Sequence, residues 1–65
     1  MNFNAAKYRN NKTGNVYYVY TKYAIESTNG REDIPYTIYT NAEKNKVFVR
    51  ETKEFNNKFT LCERE

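Results

Sequence analysis

The sequence predicts an all-β fold: a small five-stranded barrel or strongly bent antiparallel sheet with one short 3₁₀ turn. Three observations carry that expectation. Residues 16–25 read VYYVYTKYAI, dense in the aromatic and β-branched types that suit a pleated, half-buried surface. Turn-forming clusters, Lys12-Thr13-Gly14-Asn15 and Ser27-Thr28-Asn29-Gly30-Arg31, bracket that run. The phenylalanines of the C-terminal third, Phe48, Phe55 and Phe59, show no clean helical spacing.

The elements follow in order. A short extended piece, residues 7–10, precedes the first turn, and the long strand 16–25 follows it. Alternation divides the long strand into two faces. Tyr17, Val19, Thr21, Tyr23 and Ile25 lie on one, and Val16, Tyr18, Tyr20, Lys22 and Ala24 on the other. The first is the expected core face, because the second carries the lysine. Asn29-Gly30 between two extended runs is a strong hairpin signal, so a third strand is expected over 33–40. Pro35 within it cannot donate to a ladder, which places an edge or a bulge there. Residues 41–45 form a polar loop, and 46–50 a strand with Val47 and Val49 on one side and Phe48 and Arg50 on the other. Residues 52–55 are expected to make the 3₁₀ turn. Asn56-Asn57 then turns the chain into a last strand, 58–62, ahead of a fraying tail at 63–65. The predicted core is Tyr8, Tyr17, Val19, Ile25, Tyr36, Ile38, Val47, Val49, Phe55 and Phe59.

Length and composition bound what such a fold can do. With 65 residues the chain is one domain, expected to be ordered over about 6–62 and near the lower limit for folding without a staple. Leu, Ile, Val and Phe number only 12, but seven tyrosines supply large rings for a core. Cys62 is the single cysteine, so no intramolecular disulfide is available. That cysteine count, together with the absence of a leader pattern or an apolar run of spanning length, leads to the expectation of a cytoplasmic protein with no membrane association. Histidine is absent, which removes the commonest general base and metal ligand. Gly14 and Gly30 stand alone, so no phosphate-cradling loop is present. The sequence therefore predicts no enzyme, no cofactor and no metal site.

With the motifs placed, the chain resembles a family of short bacterial and phage proteins, domain of unknown function 1653. That family opens with Tyr-Arg, a Lys-Gly turn and a Tyr-x-Val strand, then runs through Thr-x-Gly-Glu and a Tyr-bearing strand to Trp-Val-Arg-Pro and a Phe. The corresponding residues are Tyr8-Arg9, Lys12 to Gly14, Tyr17-Tyr18-Val19, Thr28-Asn29-Gly30-Arg31-Glu32, Tyr36, Phe48-Val49-Arg50 and Phe55. They span about residues 7–59. Phe48 stands where the family has Trp, Glu51 where it has Pro and Asn10 where it often has His, and Thr13 is an insertion in the first turn. The resemblance implies a compact SH3-like barrel and supplies no activity. The weight of Asn, Lys, Tyr and Ile points to an AT-rich bacterial or phage genome.

Two kinds of binding remain open. Tyr18, Tyr20 and Lys22 share one expected strand face, and Phe48 and Arg50 share another. Rings beside cations can stack bases and meet phosphates, which suits a nucleic-acid-binding module. Tyr and Arg are equally the residues that protein interfaces favour. The charge, +3 with eight acids interspersed among eleven cations, lacks the basic stripe of a dedicated nucleic-acid domain. The leading expectation is a small non-catalytic protein-binding module, an accessory protein of a bacterium or phage. Nucleic-acid binding is the alternative, and a homodimer through a free sheet edge is a further option. The candidate partner-binding residues are Tyr18, Tyr20, Lys22, Phe48 and Arg50. For Arg50 a structural ion pair with Glu26, Glu32 or Glu54 weighs equally against a contact with a partner. Glu32-Asp33 and the pair Glu51 and Glu54 read as solvated acids, and Cys62, beside Glu63 and without a histidine, as an inert half-buried side chain.

Overall fold

The computed structural model describes residues 5–62. The expected fraying of residues 63–65 falls outside that range. Five antiparallel strands and one helix follow in the order β1 (Ala6–Asn10), β2 (Val16–Glu26), β3 (Arg31–Asn41), β4 (Val47–Glu51), α1 (Thr52–Lys58) and β5 (Phe59–Leu61). The strands are arranged β4-β3-β2-β1-β5. The sheet is open: β4 and β5 are its two edges, and α1 carries the chain from one edge to the other while packing on β3, β4 and β5.

Asparagine side chains organise two of the three hairpin turns. Asn10 Oδ1 accepts the backbone N–H groups of Lys12 and Thr13, each at 2.9 Å, and Gly14 supplies the left-handed backbone that returns the chain (φ 79°). Asn41 Oδ1 accepts the N–H groups of Asn45 and Lys46 at 3.1 and 3.2 Å, around Lys44 at φ 60°. In the β2–β3 turn the acceptor is a carboxylate: Glu26 Oε1 takes the Asn29 N–H at 3.0 Å.

The long strands are where simple alternation fails. The β2–β3 register runs Val19↔Tyr39, Thr21↔Ile38 and Ala24↔Tyr36, so β2 gains residues on β3 twice within a few positions. Each gain is a bulge that re-aims the side chains beyond it. The expected core face of β2 therefore holds for Tyr17 and Val19 but not for Tyr23, which is 81% exposed, or Ile25, at 46%. Lys22, assigned to solvent by alternation, instead turns toward the core rings. Pro35 fits its expected setting: β4 pairing begins at Tyr36↔Glu51, so Pro35 lies where β3 has no β4 neighbour, beside another register shift.

The core gathers on the face that α1 covers. Val19, Tyr39, Phe55 and Phe59 are buried, with Tyr8, Tyr17 and Phe48 packed against them. Phe55 and Phe59 stack with ring centroids 4.2 Å apart and planes 6° from parallel, and Tyr39 meets them at 5.0 and 5.4 Å. Of the predicted core, Tyr8, Tyr17, Val19, Phe55 and Phe59 belong to this cluster, whereas Tyr36 and Ile38 are half-buried on the other face. Val47 and Val49 are corrections, 64% and 62% exposed, and Tyr39 and Phe48 take the inward positions instead. The alternation of β4 is as expected, but its faces are inverted.

The segment after β4 also differs from expectation. Residues 52–58 form a seven-residue α-helix rather than a 3₁₀ turn. Phe55 and Phe59 stand four residues apart, which brings both rings to one side, and Glu54 in the first turn and Lys58 in the last match the helix dipole. The last strand consequently starts at Phe59 and ends at Leu61.

Candidate partner-binding surface

The face opposite α1 is built by the same alternation that buries Tyr39 and Phe48. Residues directly paired across antiparallel strands share a face. Tyr39 pairs with Phe48 on the core side, so the flanking pairs Thr40↔Val47 and Ile38↔Val49 lie on the outer side, and Tyr36↔Glu51 continues the row. On β2 the outer side carries Val16 and Tyr18, paired with Arg9 and Lys7 of β1, and Ala24, paired with Tyr36. Ala24, Ile25, Glu26, Tyr36, Ile38 and Val49 line a shallow groove of about 110 Å³ there. This face is apolar at its centre, where Val47, Val49 and Ile25 are exposed, while Thr40 on the same face is fully buried. Large contiguous apolar surface on a small chain marks a place of contact.

The five sequence-predicted residues do not converge on one surface. Tyr18 lies on the outer face, half-buried, with Lys44 Nζ 5.2 Å from its ring centroid. Tyr20 is exposed at the first bulge, between Val19 and Thr21. Lys22 is on the core side: its Nζ sits 4.7 Å from the Tyr8 ring centroid and 5.5 Å from that of Phe55, and donates to Asn56 Oδ1 at 2.8 Å. Phe48 stacks on Tyr39 at 5.3 Å and meets Tyr17 edge-on. Arg50 donates through Nε to Tyr39 Oη at 3.1 Å and through Nη1 to Glu54 Oε1 at 2.7 Å, the ion pair that competed with its binding role. The Tyr39 hydroxyl, followed by Glu54, holds the guanidinium more firmly protonated than usual.

The bulges explain the separation. Tyr18, Tyr20 and Lys22 share a face only if β2 keeps period two, and it does not. Sequence reasoning also assigned to the core Val47, Val49 and Ile25, which are exposed, and Tyr36 and Ile38, which are half-buried on the outer face. One signal was present: Phe48 and Tyr39 are larger than their valine and isoleucine neighbours, and in a small core the rings take precedence.

Two further placements bear on chemistry. Cys62 is half-buried, its N–H donating to the Lys7 carbonyl at 2.8 Å. Among the described residues no group of three or more Cys, Asp or Glu is placed to hold a metal ion, and no helix is long and apolar enough to cross a membrane. Comparison of the chain with protein-family models, with curated proteins and with solved structures finds no match.

Proposed function

We propose that this chain is a small non-catalytic protein-binding module whose docking surface is the outer face of β2, β3 and β4. The observation that carries the reading is the exposure of Val47 and Val49 on an edge strand, beside Ile38, Tyr36 and the groove they share with Ile25. A sheet buries each apolar face against a second layer, and here α1 supplies that layer on one side only. Glu26 and Glu51 at one end and Lys7 and Arg9 at the other give the patch a rim of mixed charge, the pattern of a protein interface rather than of a phosphate track. The engagement of Lys22 and Arg50 with core rings, Asn56 and Glu54 supports the same choice over nucleic acid.

The sheet is open rather than closed into a barrel, with the strand order β4-β3-β2-β1-β5 and a helical crossing between β4 and β5. Paired affinity captures test the function, using the wild-type chain and a Val49→Lys variant whose fold is verified by circular dichroism. A protein held by the wild type and lost from the variant is the expected result. Binding of single-stranded DNA or RNA that falls steeply with salt and is unchanged in Val49→Lys would overturn the proposal.

A further inference from the structure

We infer that the outer face is an isologous interface between two copies of this chain, with Arg9 of each protomer opposite Glu51 of the other. The inference rests on the docking-face reading above and names the occupant. Arg9 lies on β1 paired with Val16, at the end of the sheet that carries the β1–β2 turn. Glu51 lies on β4 paired with Tyr36, at the other end and across the sheet. Between these two corners the outer face carries Tyr18, Ile38, Val49 and Tyr36. The surface is thus an apolar diagonal with a cation at one end and an anion at the other.

Such a pattern is complementary to itself. A two-fold axis lying in the face, at right angles to the diagonal, sets each apolar centre on the other and each Arg9 on a Glu51. Glu26, at the end of β2, is paired with Arg31 and held by the Asn29 N–H, so Glu51 alone carries the sign of its corner. A standard interface needs about 800 Å² from each partner, and one broad face of a body 35 × 32 × 20 Å can supply it. Two sheets packed face to face also complete the two-layer arrangement that the open sheet lacks on this side.

The alternative contact between copies, edge-to-edge pairing of two β4 strands, fits the charges poorly. A two-fold at Phe48 places Lys46 beside Arg50 of the partner subunit, and a two-fold at Val49 places Val47 beside Glu51 of the partner subunit. Like charges opposite one another, or an apolar residue opposite an acid, disfavour both registers.

Sedimentation equilibrium over a wide concentration series tests the inference, with the fold of every variant verified by circular dichroism. The wild type is expected to dimerise, and Val49→Lys, Arg9→Glu and Glu51→Arg each to weaken the dimer at least tenfold. An equimolar mixture of Arg9→Glu and Glu51→Arg is expected to restore dimerisation, because each chain then carries one sign at both corners. Should Glu51→Arg disturb α1, the double variant Arg9→Glu/Glu51→Gln replaces the mixture, and partial recovery over Arg9→Glu alone is expected, because the like-charge contact is removed. A chain that is monomeric at every concentration overturns the inference, as does a dimer that Arg9→Glu and Val49→Lys leave unchanged. If that monomer still captures another protein through Val49, the docking face stands and only the second copy is wrong.

Discussion

The hydroxyl of Thr52, the first residue of α1, donates to the main-chain carbonyl of Lys22 at 2.7 Å. Lys22 lies between the paired positions Thr21 and Ala24, where β2 bulges and its backbone leaves the ladder. The helix therefore supplies a partner that β3 does not. Thr37, fully buried on β3, lies 2.9 Å from the same hydroxyl. Thr52 has one proton and directs it to Lys22, so Thr37 is the donor to Thr52. Replacing Thr52 with valine keeps the shape and removes both bonds. The loss expected is about 1–3 kcal/mol, since buried polar groups are left without partners. Urea unfolding should show a lower midpoint with an unchanged slope, and Thr52→Ser should recover most of the difference.

Lys22 itself is expected to act in stability rather than in binding. Its ammonium caps the Tyr8 and Phe55 rings and reaches Asn56, tying β2 to α1. Lys22→Met keeps the apolar stem and discards the charge, which should cost about 0.5–2 kcal/mol. Partner capture by the folded variant should match that of the wild type. A selective loss of capture at unchanged stability would return Lys22 to the binding surface.

The sequence carried the sheet more clearly than it carried the faces. Turn chemistry at Lys12 to Asn15 and at Asn29-Gly30 and aromatic density in β2 were legible because they are local. Pro35 was legible for the same reason, its missing N–H being a property of one residue. What β2 does after Val19 was not, because a bulge depends on how β3 and α1 receive the strand, and nothing in YTKY announces it. The inversion of β4 has a different cause. Val47 and Val49 against Phe48 and Arg50 is a choice that alternation leaves open, and it is decided by Tyr39 and Tyr17, which draw the Phe48 ring against the core. The dispersal of the five candidate residues has the same two causes: the bulges part Tyr18, Tyr20 and Lys22, and the inversion turns Phe48 and Arg50 toward Tyr39.

Glu26 gives the stability of the β2–β3 turn a pH dependence. The N–H of Asn29 and the side chain of Thr28 hold its carboxyl below the ordinary value of 4.5. The folded chain thus binds this proton more weakly than the unfolded chain does. Its contribution is complete above about pH 5 and is lost as the pH falls through the folded-state pKa. The difference in unfolding midpoint between wild type and Glu26→Gln should therefore shrink steadily below about pH 5. A difference that stays constant down to the acid transition would mean that the carboxylate charge plays no part in the turn.

Phe55 and Val49 should stand at opposite extremes of tolerance, although both are apolar and the sequence placed both in the core. Phe55 is 0% exposed and touches Tyr8, Tyr39 and Phe59. Truncation to alanine removes the ring on which the others close, at a cost of about 3–5 kcal/mol. A domain of this length has roughly 3–10 kcal/mol of stability in all, so Phe55→Ala should leave much of the chain unfolded at room temperature. Val49→Lys places a charge where the side chain of the single chain already meets solvent, and is expected to shift the stability of the monomer by no more than about 0.5 kcal/mol. Amide-proton dispersion in NMR spectra distinguishes the two cases directly. A Val49→Lys chain that unfolds as readily as Phe55→Ala would mean that the outer face is part of the core, and the docking surface would have to be sought elsewhere.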